Sequence, residues 1–436
     1  MANNASIYSN YEHMVIDKDG KRVDFTDLDN KLSIVNFSYY ESLLCAQVTA
    51  NVLYVDLANS VSADSTYDKA QRRGTLLNSL PIRGNEKFEF IIKSKLGSLN
   101  FKNYPLRVIA ASSPKQESFR EATMLSLGSE YGIKNETKTM YKKYYNSISQ
   151  NVFDILSKEL GVPSSRLNIE QTKNPYAFLG SSKHPFSLIT SLCSKSIPLN
   201  GSAGYLFWEN QSGYNFRSID SLVSAPPVNV STPYVYYSAA KSSFDNDDND
   251  YRIYSYSFQK NQNILNSLKS GVYKTKNVFF NPYTFEYSEL YLGLSKSGIK
   301  SLGNKPEYPG EFDQDDSFTR THHFILDSGN MEVGLSTSIN NDPREYQARA
   351  VIRYNLLFSQ ILTMTIPCNP NLKAGDVILC LFQKMTSEQT RLSEGGFDES
   401  QSGNYLIVHL CHNFDTKRSF TSLTLVRDTY GLYKSP

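Results

Sequence analysis

The chain has 436 residues, too many for one ordinary hydrophobic core, and usual domain sizes suggest about three compact units. Its apolar fraction of 40% and charged fraction of 20% are globular values, which sets aside wholesale disorder and fibrous repeats. With 45 Lys and Arg against 43 Asp and Glu the net charge is +2, so no global field draws it to nucleic acid or an anionic membrane.

The 30 Tyr and 24 Phe, beside the single Trp208, lean towards sheets and interfaces, where a flat ring covers much area. Residues 1–30, interrupted by Glu12, Asp17, Asp19 and Asp24, hold no apolar core of a signal peptide, and no later run reaches membrane-spanning length. In chain order, the apolar and aromatic runs Ser33–Leu44 and Gln47–Leu57, then Lys87–Lys93 and Leu106–Ala111, predict strands of a small barrel or sandwich ending near Ser113. Ser147–Leu160 places Ile148, Val152, Ile155 and Leu156 on one helical face, stopped by Gly161 and Pro163. A second helix begins at Pro185, and Tyr205–Glu209 with Tyr214–Ile219 predict a hairpin around a four-residue turn, Asn210 to Gly213.

Strands return over Thr232–Ser288, with a short helix near Asn263–Leu268 closed by Gly271 and a strand Val272–Phe280. Residues 293–345, rich in Gly, Ser, Asn, Asp and Pro, are expected to be an insertion without a large core. Helical spacing resumes over Glu345–Phe358. Four strands follow, Gln360–Ile366, Val377–Phe382, Tyr405–Phe414 and Phe420–Val426, with Met385–Gly403 a long exposed loop.

Signals for chemistry are weak. The run Asp245 to Asp250 resembles the start of a calcium loop, but its sixth position is Asp250 where Gly is needed and its twelfth is Tyr256. A solvated loop is the expectation there and for Glu311, Asp313, Asp315 and Asp316. His409 and Cys411 would face one side of a strand and His412 the other, with no second ligand pair, so no metal is expected. His184, His322 and His323 have no nucleophile signature nearby, and no cofactor motif occurs. The five cysteines, Cys45, Cys193, Cys368, Cys380 and Cys411, are odd in number and scattered, as buried reduced thiols in a reducing compartment are. No enzymatic activity is expected.

The most telling stretch is Pro367-Cys368-Asn369-Pro370-Asn371-Leu372-Lys373-Ala374-Gly375-Asp376. A strand stops, the chain turns, Leu372 re-enters the core and Gly375-Asp376 lead into the next strand. With the Gly403-Asn404-Tyr405-Leu406-Ile407-Val408 strand and Leu423-Thr424-Leu425-Val426-Arg427-Asp428, this order resembles the baseplate central hub proteins of contractile-tailed bacteriophages, most strongly over Arg349–Gly431. The residues that carry it are Pro367, Leu372, Gly375, Asp376, Tyr405, Arg427 and Asp428.

The resemblance implies an α+β, predominantly β fold. Two tube-type β-barrel domains would comprise residues 1–113 and residues 225–290 with 345–436, around an α+β middle domain at 114–224 and a loop-rich insertion at 291–344. It further implies a homotrimer forming a pseudo-sixfold ring in the virion tail baseplate, assembled in the host cytoplasm. Such a ring adapts a hexameric tail tube to a trimeric spike. The implied partners are a tail tube initiator protein, a central spike protein and baseplate wedge proteins, with viral DNA passing through the channel without specific binding. The competing expectation is a carbohydrate- or receptor-binding β-rich tail protein, motivated by exposed Tyr and the acidic clusters.

Overall fold

The computed structural model describes residues 9–27, 32–57, 75–117, 120–237, 248–260, 263–282, 285–293, 299–303, 318–325, 343–384, 396–415 and 417–429. The chain opens with a hairpin, β1 (Asn10–Lys18) and β2 (Lys21–Asp24), around Asp19 and Gly20 at φ +52° and +84°. That pair of positive φ values is what Asp-Gly supplies in a two-residue hairpin turn. Strands β3 (Leu32–Ser42) and β4 (Thr49–Leu57) follow, then the short helix α1 (Leu76–Ser79). Next come β5 (Lys87–Ser94), β6 (Gly97–Asn100), β7 (Leu106–Glu117) and β8 (Arg120–Gly128). The strand set thus runs beyond Ser113 to Gly128, because β7 continues through that point and hairpins into β8.

The middle section holds α2 (Glu130–Thr137), β9 (Lys143–Tyr144) and α3 (Ile148–Asp154). Ser147 caps α3 by accepting from the Gln150 N–H. The expected helix continues to Glu159 as a π-helical turn from Ile155, and Gly161 at φ +75° ends it. Two short strands, β10 (Leu167–Ile169) and β11 (Phe178–Leu179), precede α4 (Pro185–Cys193), the hairpin β12 (Tyr205–Asn210) and β13 (Gly213–Ser218), and α5 (Ile219–Val223). Asn210 pairs with Gly213, so the turn holds two residues where four were expected. Gly213 stands at φ +130°, where a Cβ would come within 2.2 Å of the Arg166 carbonyl oxygen, so only glycine closes the hairpin so tightly. Ile148, Val152, Ile189, Leu192, Tyr205 and Phe216 lie in this section's own core.

The last section begins with β14 (Tyr234–Tyr236), β15 (Ser255–Lys260) and α6 (Ile264–Lys269), the latter capped by Asn263. A separate sheet follows, β16 (Lys274–Phe280), β17 (Tyr287–Gly293) and β18 (Arg320–Ile325). Part of the expected coreless insertion is therefore ordered: β18 runs parallel to β16, and β17 crosses the expected boundary at residue 290. The buried face of this sheet meets α7 (Gln347–Leu357), packing Phe279 and Leu292 with Ala348, Ile352 and Leu356. Strands β19 (Gln360–Pro367), β20 (Val377–Phe382), β21 (Gly403–Asp415) and β22 (Ser419–Arg427) complete the chain.

The large sheet runs β15-β19-β22-β21-β3-β4-β8-β7-β5-β1-β2. Its central joint is the antiparallel pairing of β21 with β3, from His409 opposite Ser42 to Asp415 opposite Asn36. The strands of both expected barrels therefore share one sheet. They also share one core, in which Phe37, Phe90, Leu125, Met364, Phe414 and Leu425 are buried together. Among the described residues no helix is long and apolar enough to cross a membrane.

Candidate functional site

The motif residues form two neighbouring constructions. In the first, Pro367 ends β19 opposite Phe420, and Leu372 is buried in the shared core. Asp376 accepts from the Lys373 N–H at 2.9 Å and its carbonyl accepts from the Ile407 N–H at 2.9 Å, which closes the turn onto β21. Burial raises the Asp376 carboxyl above its ordinary range. Gly375 stands at φ +97°, and a Cβ there would lie 2.7 Å from Cζ2 of Trp208. The Trp208 indole N–H donates to the Ala374 carbonyl at 3.0 Å, so the corner is the socket that holds the middle section's only tryptophan. Gly375→Ala combines left-handed strain with a steric clash, and is expected to lower stability by about 2–3 kcal/mol in chemical denaturation. A loss within about 0.5 kcal/mol would contradict this geometry.

The buried Glu41 of β3 binds the same corner. Its Oε1 accepts from the Tyr39 hydroxyl at 2.8 Å and the Gln211 N–H at 2.6 Å, and its Oε2 from the Ala374 N–H at 2.8 Å. Burial pushes its carboxyl up to about 7, against the lowering effect of these donors. Glu209 of β12 is also buried, accepts from the Val48 N–H at 3.1 Å and is likewise pushed up to about 7 by burial. Sequence reasoning passed over both. The one available signal was a carboxylate inside an aromatic run, Tyr39-Tyr40-Glu41 and Phe207-Trp208-Glu209.

In the second construction, the buried Arg427 guanidinium lies 4.5 Å from the Tyr405 ring centre. It donates to the Gln360 side chain at 3.0 Å and to the carbonyls of Ser402 and Ser400 at 3.1 and 2.7 Å. This fixes the chain that leads into β21. Asp428 is turned elsewhere: its Oδ2 is 2.9 Å from Nη1 of Arg353, whose Nε is 2.8 Å from Oδ1 of Asp220. All three side chains are buried, and they tie α5, α7 and the end of β22 together. Burial raises the Asp220 carboxyl, opposed by Arg353.

The other face of the sheet is open. An open groove of about 540 Å³ crosses β15, β19, β22, β21 and β3. Strand alternation presents Ser255, Ser257, Thr363, Thr365, Ser422 and Thr424 to it. His409, Cys411, Tyr40 and Ser42 continue the row, and partial burial lowers the His409 imidazole, so it adds no charge at neutral pH. None of these residues is Lys, Arg, Asp or Glu; Lys260 stands at the end of β15 and Asp415 at the end of β21.

The residues considered for chemistry do not converge. His412 is buried 2.9 Å from the Thr421 hydroxyl, on the opposite side of β21 from His409 and Cys411, and burial depresses it to about 4. His184 lies at the start of α4 with Nδ1 2.8 Å from the Lys138 carbonyl, and His322 is 3.3 Å from Asn277. Asp250 is buried and ion-paired with Lys95. Residues 245–247, the cluster at 311–316 and most of the 385–403 loop lie outside the described residues. Among the described residues no three His, Cys, Asp or Glu side chains gather where they could hold a metal ion. Cys193, Cys368 and Cys380 are buried, whereas Cys45 is exposed and Cys411 half-buried, because both lie at the open groove.

No protein-family model and no curated protein matches this sequence. Among solved structures, the chain is similar to the 43 kDa tail protein of prophage MuSo2 from Shewanella oneidensis, with a TM-score of 0.52 and 10% identity over 96% of this chain and 98% of that one. It is similarly related to the tail protein from Neisseria meningitidis MC58, with a TM-score of 0.54 and 10% identity over 96% of this chain and 97% of that one. The fold is that of these tail proteins, in line with the phage-tail resemblance carried by the Arg349–Gly431 motifs.

Proposed function

We propose that the protein is the non-enzymatic baseplate hub of a contractile phage tail, in which three copies form a pseudo-sixfold ring. The ring joins a hexameric tail tube to a trimeric central spike and leaves a channel for DNA. The two strand sets are its tube-type units, the section around α3 and α4 its middle domain, and the residues from about 291 to 344 its outer insertion. A tube initiator, a spike and wedge proteins are its partners in the virion, after assembly in the host cytoplasm.

The observation that carries this reading is the Ser- and Thr-rich groove across β15, β19, β22, β21 and β3 of one continuous sheet, in a fold shared with tail proteins. A wall facing passing DNA works best without fixed cations, since each Lys or Arg would bind phosphate and release counterions. Electron microscopy of the purified full chain, alone and with its spike, provides the test. The expected image is a threefold ring with a central opening lined by β15, β19, β22, β21 and β3. A particle that stays monomeric at every concentration, with spike present, would sink the proposal.

A further inference from the structure

The large sheet contains the same four-strand arrangement twice. β3, β4, β8 and β7 lie side by side in that order, and so do β15, β19, β22 and β21. Registers match across the middle of the two arrays: Leu125 of β8 faces Val52 and Ala111, while Leu423 of β22 faces Met364 and Leu410. On that match Thr123-Met124-Leu125-Ser126-Leu127 aligns with Thr421-Ser422-Leu423-Thr424-Leu425 without a gap. A bulge falls at the same place in both, at Ile109 between Val108 and Ala110 and at Val408 between Ile407 and His409, and β7 has a second one between Ser112 and Lys115 that β21 lacks.

The corner repeats as well. Asn85 N–H donates to Val108 and Val108 N–H to Glu86, at 2.7 and 2.9 Å, as Gly375 N–H donates to Ile407 and Ile407 N–H to Asp376, at 3.0 and 2.9 Å. Glu86 accepts from the Arg83 N–H as Asp376 does from the Lys373 N–H. Asn85 and Gly375 both have positive φ, +71° and +97°.

The repeat exposes what is missing from one copy. β21 is shared: Gly403–Leu406 pairs with β20, and His409–Asp415 pairs with β3. β7 begins in the same way, with Leu106 and Arg107 paired to β5. From Ile109 onward its corresponding edge meets no strand among the described residues, and Ile109, Ala110, Ala111 and Ser112 are exposed. At the other end of the array, β15 pairs only with β19, and Ser255, Ser257 and Gln259 are exposed. β15 is the counterpart of β3, the strand type that β7 lacks: Tyr256-Ser257-Phe258 corresponds to Phe37-Ser38-Tyr39. Two long open edges are an aggregation hazard unless each is the other's partner.

We propose that β7, from Ala110 to Glu117, is the docking edge for β15 of a second copy of this chain, in the register that β21 and β3 use within one chain apart from the extra residue that bulges between Ser112 and Lys115. The contact is head-to-tail, so each copy keeps one unused edge until the ring closes. It rests on the ring reading and adds the surface that builds it. Lys115 faces Ala122 as Asn413 faces Phe420, and Ser257 faces Thr363 as Ser38 faces Asn51, so Lys115 falls opposite Ser257 of the next copy.

The test uses the full chain in a Cys45→Ser background, with Lys115→Cys and Ser257→Cys made separately, mixed and oxidised. Opposed residues of an antiparallel pair lie within disulfide range, so the mixture is expected to form interchain disulfides roughly ten-fold above either variant alone. A chain carrying both substitutions is expected to give covalent trimers. Cross-linking by Lys115→Cys alone would mean a symmetric contact and overturn the proposal. A threefold ring by microscopy without the 115–257 disulfide would overturn the strand pairing and leave the ring standing, whereas an invariant monomer would overturn both.

Discussion

Replacing Arg353 by Met is expected to cost about 3–5 kcal/mol of unfolding free energy, measured by chemical denaturation at pH 7. The guanidinium lies between the buried carboxylates of Asp220 and Asp428, at 2.8 and 2.9 Å, and its Nη2 also donates to the Lys300 carbonyl at 3.1 Å. Methionine fills much of the same volume but leaves two carboxylates in the interior without a cation. Removing Arg353 also removes what holds the Asp220 carboxyl down, so the variant is expected to take up a proton and recover part of its stability on acidification. The triple variant Arg353→Met, Asp220→Asn, Asp428→Asn should regain a large share of the loss, because no buried charge is then left unpaired. A single-variant cost below about 1 kcal/mol would show that the three groups are hydrated in solution.

Glu41→Gln is expected to change its stability relative to the native chain by about 2.5 kcal/mol between pH 5 and pH 8. The Glu41 carboxyl is pushed from 4.5 up to about 7 by burial, so the folded chain holds that proton more tightly than the unfolded one. Stability from this group is therefore intact below about pH 4.5, falls as pH rises towards 7, and stays reduced above. Glutamine never ionises, so the variant, weaker at pH 5 because its amide cannot accept from both Gln211 and Ala374, gains on the native chain as pH rises. Working with the difference removes the contributions of Glu209, raised likewise, and of His412. Burial depresses His412 to about 4, so it acts with the opposite sign, adding stability as pH rises from 4 to 6.5. A difference that does not vary with pH would refute a neutral Glu41 in the fold.

Local patterns were readable where cause and effect lie within a few residues. The helices at Ile148 and Pro185, the stops at Gly161 and Gly271, and the strands after Gln360 are written in spacing and in left-handed glycines. The β1–β2 hairpin was not among the expected elements: Asp19-Gly20 marks its turn, but its strands mix Glu12, His13 and Met14 without clean alternation. The duplicated corner was hidden by a one-residue shift of glycine: Gly84-Asn85 in one copy stands where Ala374-Gly375 stands in the other. Asn tolerates left-handed φ well enough to substitute. The contacts of Glu41 could not be read at all. Ala374, which donates to it, lies 333 residues away, and no local period encodes such a meeting.

The corner around Gly375 has a twin at Asn85, but the two have diverged in employment. The Gly375 corner seats Trp208 and binds Glu41, whereas the Asn85 corner presents Glu86 to Lys18 of the first hairpin. One chain thus carries two nearly equivalent four-strand panels and a single socket for Trp208. In a closed assembly of three chains, the panels would recur every sixty degrees and the sockets every one hundred and twenty. The change from six to three would then be divided between the inside and the outside of one polypeptide, with no adaptor between them.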